Sequence, residues 1–320
     1  VTATPRVAIL CEGEPAGSID TVADRAVVSV HALRDAPPEA FDPDIVYLTE
    51  APDPAWAAAL ASAPSLTWVH WGGVGIDGVA LPDGVRVTTS RGVLNQAMAE
   101  YAVMLTLAAL RGLWETREQQ AHQVWAPRPT RRLADSRVVV LGAGSIGRAT
   151  ADALRALGGS VRLVGTARRA DEVYGEILGP EDLDAALPLA DVLIVTLPST
   201  PATRGLVDSR VFDRLRDVGY LINIGRGAVV DESALVDALR SGRLSGAALD
   251  VASTEPLPPD HPLWSEPGVL ISPHMSASAE GDWDRLLELF VQNLDRHLAG
   301  QPLLNVIDVG RGFVATESTR

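Results

Sequence analysis

The sequence predicts an α/β protein made of two doubly wound parallel-sheet lobes. Three features predict it. Short, continuously apolar runs of strand length suit strands buried on both faces. Ala-rich or amphipathic stretches of helical length separate them. The 320 residues are also about twice an ordinary domain.

In the first hundred residues, strands are expected at 7–10, 45–48, 66–69 and 85–87, punctuated by Pro, Gly and Asp, with a helix over 56–61. One long helix is expected over 96–118, where Tyr101, Met104, Leu105, Ala108 and Trp114 recur near helical spacing and the length suits a connector. A second series of six strands follows at 138–141, 161–165, 192–197, 220–224, 247–250 and 269–272, with a helix over 232–240. The last helix, 282–298, carries Trp283, Leu286, Leu287, Phe290, Leu294 and Leu298 on one broad face, so it is expected to return to the first lobe. There is no tandem repeat and no low-complexity tract.

Composition narrows the function. A net charge of −14 opposes a nucleic-acid or anionic-membrane partner, since those need a dense basic surface. All 27 positive side chains are Arg; without lysine, an internal Schiff base and a P-loop lysine are excluded. Cys11 alone can form neither an internal disulfide nor a Cys-based zinc site. The other histidines, His31, His70, His122, His261 and His297, show no paired spacing, so no metal is expected. His70 adjoins a glycine-rich loop and either lines it or is a partly buried aromatic neighbour. No apolar run approaches the ~20 residues of a membrane helix, and a cytoplasmic protein is expected.

Gly142-Ala143-Gly144-Ser145-Ile146-Gly147 follows the strand at 138–141 and opens a helix. Gly142 allows the tight turn, Gly144 the approach of a pyrophosphate, and Gly147 close helix–strand packing, while Ser145 and Ile146 begin the helix whose N-terminus faces the anion. That is the dinucleotide-binding, or Rossmann, arrangement. An NAD site carries Asp or Glu at the end of the second strand. Here Gly165-Thr166-Ala167-Arg168-Arg169 stands instead, so NADP is the expected preference, with NAD possible and with Thr166, Arg168 and Arg169 around the 2′-phosphate.

Three segments place a charged or titratable group just past a late strand, where open α/β sheets bind ligands: Ile222-Asn223-Ile224-Gly225-Arg226-Gly227, then Asp250 leading to Glu255-Pro256-Leu257, then Ser272-Pro273-His274. With the glycine loop, the segment from Thr196-Leu197-Pro198 through Thr203-Arg204-Gly205, and the closing run 298–306, they resemble the D-isomer-specific 2-hydroxyacid dehydrogenases. The resemblance runs from Gly73-Val74-Gly75-Ile76-Asp77 to Val306.

The resemblance implies a dinucleotide-binding domain over 99–281 inserted into a flavodoxin-like substrate domain, 1–98 plus 282–320. It implies hydride transfer between NADP(H), or NAD(H), and a small 2-oxo or 2-hydroxy acid such as glyoxylate or hydroxypyruvate. Arg226 would hold the substrate carboxylate and polarise the 2-oxo group. His274 would be the general acid, with Glu255 fixing which ring nitrogen carries the proton. Backbone N–H groups of Val74 and Gly75 would complete the carboxylate site. Leu197, Pro198, Thr203 and Ile224 would line the cofactor, with Asp250 beside the nicotinamide carboxamide. A homodimer is implied, for which the 96–118 helix could supply surface. With fourteen residues after Val306, no appended regulatory domain is expected. Two alternatives stand beside this: a dehydrogenase of another small anion, and a non-catalytic NAD(P)-sensing partner protein. Lack of lysine argues against a phosphite-type site, and the Arg226, Glu255 and His274 set favours turnover over sensing.

Overall fold

The computed structural model describes residues 4–12, 19–76, 83–215, 219–308 and 313–314. Asp77, the last residue of the expected substrate loop, lies outside them. The chain forms two compact units, Val1–Val93 with Glu280–Arg320, and Leu94–Ala279.

The first unit opens with β1 (Arg6–Cys11), α1 (Asp20–Ala23), β2 (Val27–Ala32), β3 (Ile45–Leu48), α2 (Pro54–Ser62), β4 (Trp68–Trp71) and β5 (Arg86–Thr89). The strands are parallel in the order β2-β1-β3-β4-β5, a doubly wound order of the flavodoxin type. The sequence pattern does not predict β2. It is an edge strand with no buried residue, half of its side chains exposed, and Ser29 and His31 interrupt its apolar run. α2 starts where Asp53 accepts from Trp56 N at 2.8 Å, with Pro54 inside the first turn.

The second unit begins with α3 (Asn95–Leu110) and α4 (Leu113–Ala121). The single helix expected over 96–118 is thus two, broken at Gly112, which takes a left-handed conformation. All of α3 falls in this unit. Then follow β6 (Arg137–Leu141), α5 (Ser145–Ala156), β7 (Ser160–Val164), an antiparallel hairpin of β8 (Arg169–Asp171) and β9 (Gly175–Ile177), α6 (Leu183–Ala186), β10 (Val192–Val195), α7 (Ser209–Arg214), β11 (Gly219–Asn223), α8 (Glu232–Arg240), β12 (Leu244–Leu249) and β13 (Val269–Ile271). The sheet order is β13-β12-β11-β10-β6-β7, all parallel. Leu178 adds a rudimentary outer strand beside β7 through Gly165 N to Leu178 O at 2.8 Å and Leu178 N to Leu163 O at 2.9 Å. The winding therefore reverses between β6 and β10, and in such sheets ligands bind beyond the strands' carboxyl ends at that point.

The chain then returns to the first unit as α9 (Asp282–Leu298). Alternate side chains of β1 divide between two cores: Val7 and Ile9 pack with Leu287, Phe290 and Leu294 of α9, while Ala8 and Leu10 pack with Trp56 and Leu60 of α2. His70, on β4, belongs to this interior. It is fully buried; Trp68 Nε1 donates to Thr88 Oγ1 at 2.8 Å, and the same hydroxyl lies 2.8 Å from His70 Nδ1. Tyr47, Trp68 and Phe290 surround the ring. Among the described residues no helix is long and apolar enough to cross a membrane.

Burial lowers the His70 pKa to about 3. An unfolded chain protonates this imidazole near pH ~6.5, so below that value the unfolded state binds the extra proton and stability falls as pH falls toward the folded pKa. Thermal and urea unfolding between about pH 7 and about pH 5 should show this loss, up to ~1.4 kcal/mol per pH unit. His70→Gln should flatten the slope, and an identical slope in that variant would assign the effect elsewhere.

Candidate active site

The glycine turn joins β6 to α5. Gly142 has a φ of +118°, and a Cβ added at Gly147 would sit 1.8 Å from Gly142 O, so the helix lies hard against the turn only because both are glycine. Gly144 is the N-cap of α5, makes no side-chain cap, and would point a Cβ into open space. Ser145 and Ile146 complete the first turn, whose orphan N–H groups and positive dipole end suit a pyrophosphate. Across the switch point, Thr203 Oγ1 donates to Pro198 O at 2.6 Å and accepts from Thr200 N at 2.8 Å, folding the loop after β10 that carries Leu197.

The two arginines past β7 differ. Arg168, expected at a phosphate, is paired instead with Asp182, its Nε donating at 2.9 Å, and lies 3.6 Å from Glu176. These acids raise the Arg168 pKa, and the guanidinium holds the Asp182 carboxyl below the usual carboxylate range. Arg169 donates to Ala167 O at 3.3 Å; a Cβ built on Gly165 would lie 3.0 Å from its Nη1 and 3.3 Å from Ala143 Cβ, which sets this guanidinium beside the glycine turn. Thr166 is exposed between them and the strand. The hairpin carrying Arg169 is clamped onto α5: Arg148 donates to Asp171 at 2.6 Å, and the Tyr174 ring lies under both Arg148 and Arg155.

Arg226, Glu255 and His274 follow three neighbouring strands, β11, β12 and β13. Buried Asn223 shapes the Arg226 corner, its Oδ1 accepting from Gly225 N at 3.0 Å and its Nδ2 donating to Arg226 O at 3.1 Å. Ile224 between them is buried. Gly227 then packs so closely that an added Cβ would lie 1.9 Å from the carbonyl carbon of Ala252. Glu255 Oε1 accepts from Ala252 N at 3.0 Å, and Oε2 meets His274 Nδ1 at 2.8 Å. The His274 and Glu255 side chains are 47% and 39% exposed, and Nδ1 is the ring nitrogen turned to the carboxylate.

His274 has a φ of +50°, unfavourable for a residue with a Cβ. Asp250, 1% exposed, holds it there. Its Oδ1 accepts from Ser272 Oγ at 2.6 Å and Met275 N at 2.9 Å, its Oδ2 accepts from Ser276 N at 2.8 Å, and its carbonyl accepts from His274 N at 2.8 Å. Asp250, expected beside a nicotinamide, thus has both carboxylate oxygens bonded inside the turn that presents His274. Sequence reasoning missed Asn223 and Ser272, whose only signal is a small polar residue closing an apolar strand.

In the first unit, Trp71 Nε1 donates to Gly75 O at 2.8 Å, and Ser90 N donates to Gly73 O at 3.0 Å, fixing the turn that contains Val74 and Gly75. Among the described residues no group of three or more His, Cys, Asp or Glu side chains could hold a metal ion.

The family described as D-isomer specific 2-hydroxyacid dehydrogenase, NAD binding domain, matches residues 103–276. A glyoxylate reductase of Thermofilum pendens is 33% identical over 294 residues, 86% of each chain. Among solved structures, an NADPH-dependent glyoxylate/hydroxypyruvate reductase of Sinorhizobium meliloti in complex with NADP and sulfate superposes with a TM-score of 0.84 at 29% identity, over 97% of this chain and 100% of that one. A probable 2-hydroxyacid dehydrogenase of Rhizobium etli in complex with NADP, HEPES and tartaric acid has a TM-score of 0.80 at 32% identity, over 97% and 99%.

Proposed function

From the premise that this chain belongs to the D-isomer specific 2-hydroxyacid dehydrogenases, enzymes of NAD(P)-dependent hydride transfer, we propose that it reduces glyoxylate or hydroxypyruvate with NADPH, using Arg226, Glu255 and His274. The observation that carries this is the 2.8 Å bond between His274 Nδ1 and Glu255 Oε2. An ionised carboxylate only accepts, so Nδ1 carries a hydrogen and proton exchange is confined to Nε2.

The bound dinucleotide supplies the hydride, and the open face at Gly144 with the uncapped first turn of α5 fits its pyrophosphate. The roles lining the rest of the cofactor fall to Leu197, Pro198, Thr203 and the backbone of buried Ile224. Arg226 binds the substrate carboxylate through its planar fork and draws charge from the oxo group. His274 gives the Nε2 proton to the oxo oxygen as that oxygen gains negative charge, and takes it back in the oxidative direction. Glu255 keeps the imidazole oriented and balances its positive charge. The unit Leu94–Ala279 is read as the dinucleotide-binding domain and the other as the substrate domain.

The preference for NADPH rests on Arg169 beside the glycine turn and on the lack of an acid at the end of β7. With Arg168 already paired to Asp182, Arg169 is the principal ligand proposed for the 2′-phosphate and Thr166 a neighbour. A homodimer is proposed because large apolar side chains are exposed along one stretch of chain, at Met104, Leu113, Val124 and Trp125, the last 96% exposed, on and just after α3 and α4.

Three outcomes are expected. His274→Ala should lower kcat for glyoxylate about a hundredfold or more while the Kd for NADPH stays close to wild type; an unaltered rate removes His274 from the chemistry. Arg169→Ala should weaken NADPH about tenfold or more with little change for NADH, and Arg168→Ala should do less; equal losses for both cofactors would refute the phosphate assignment. Sedimentation equilibrium should give twice the chain mass, reduced by Trp125→Glu, whereas a single-chain mass in the wild type ends the dimer proposal.

A further inference from the structure

The chain carries a second Glu–His pair, Glu232 with His261. Glu232 opens α8, and its Oε1 accepts from Ser253 N at 2.7 Å while its Oε2 lies 3.4 Å from His261 Nε2. The carboxylate is only 15% exposed. His261 Nδ1 accepts from Leu263 N at 3.4 Å, so the ring hydrogen sits on Nε2 and points at Glu232. One carboxylate therefore ties both ends of the segment 253–261, and Glu255 stands two residues inside it.

Capping does not explain Glu232. Asp231 already caps α8 by accepting from Ala234 N at 3.0 Å. Glu232 acts on the neighbouring chain instead. Gly227 packs directly against the peptide that joins Ala252 to Ser253, and Ala252 N anchors Glu255 Oε1. Without that anchor the Glu255 carboxylate could rotate about its last torsion, and Oε2 would no longer be held at His274. With Glu232 the strap 252–255 is held at consecutive peptides: Ala252 N to Glu255, Ser253 N to Glu232. On its far side the Glu232–His261 pair lines a surface depression with Ser233, Val236, Asp237 and Pro262.

We propose that Glu232, assisted by His261, is a positioning residue that holds the 252–255 strap and thereby the orientation of Glu255 toward His274. The proposal rests on the reading of Glu255 and His274 as the proton-transferring pair. Misplacement of a catalytic group by about 1 Å can cost up to ~100-fold in rate, so a clamp outside the reacting centre has a measurable effect on kcat.

The test uses the full chain with three variants and two readouts. Glu232→Ala should lower kcat for glyoxylate about tenfold while the KM for NADPH stays near wild type, should lower the Tm by several degrees because Ser253 N–H loses its acceptor, and should raise amide hydrogen exchange across residues 252–255. Glu232→Gln, which keeps an acceptor for Ser253 N–H, should recover most of both. If Glu232→Ala does not fold, His261→Phe, which loosens one end of the strap, should give a smaller change of the same sign in each readout. Wild-type kcat and wild-type exchange in Glu232→Ala, or Gln behaving like Ala, would overturn the clamp. Absence of turnover in the wild type removes the reading of His274, and the exchange difference then decides the clamp alone.

Discussion

The 2.8 Å contact between His274 Nδ1 and Glu255 Oε2 is the interaction on which the site depends, yet it cannot hold itself in place. Both side chains are well exposed, and a surface ion pair is worth at most about 1 kcal/mol. A contact that weak adopts the geometry its backbones impose. Those backbones are imposed by buried groups: Asp250 beneath the His274 turn, Asn223 at the Arg226 corner, and the close pass of Gly227 against Ala252. Hydrogen bonds to a charged group contribute roughly 1.5–3 kcal/mol each, and Asp250 accepts two from backbone and one from Ser272. That is enough to offset the left-handed conformation of His274, a cost of order 1–3 kcal/mol. The two groups proposed to handle the proton, His274 and Glu255, are thus exposed and weakly bonded, while the residues that hold their backbones are buried and strongly bonded.

The same division holds at the cofactor side. Arg169 is exposed on a short hairpin that has little apolar area of its own. Its position comes from Arg148, Asp171 and Tyr174, which fasten the hairpin to the helix that follows the glycine turn. Arg148 holds the Asp171 carboxyl well below the usual carboxylate range, so this fastening stays charged through the neutral range. Arg168 next to it is the opposite case, a cation already satisfied by protein carboxylates. Two adjacent arginines therefore differ in their protein partners, a distinction set by tertiary structure.

What sequence revealed follows the same physics. Central parallel strands read as unbroken apolar runs because both faces are covered, which is why β3, β6 and β10 were legible nearly to the residue. Edge elements lack that signature: β2 alternates Val with Ser and His, and half of the hairpin's strand residues are charged, so neither announced itself. The break at Gly112 was hidden because a single glycine is tolerated in a helical pattern. The segments that carry Arg226, Glu255 and His274, the trio proposed for catalysis, were legible because each places a charged or titratable group just past an apolar strand. Asp250, Asn223 and Glu232 were not legible as supports, since a carboxylate or amide bonded to distant backbone looks in sequence like a cap, a turn or a ligand.

A crystal structure with NADP and a non-reacting 2-oxo acid analogue such as oxamate tests the central claim most directly. The analogue's carboxylate should lie on Arg226 and its carbonyl oxygen within about 3 Å of His274 Nε2, with Glu255 still on Nδ1. An analogue bound elsewhere, or with its carbonyl turned away from the imidazole, would contradict it.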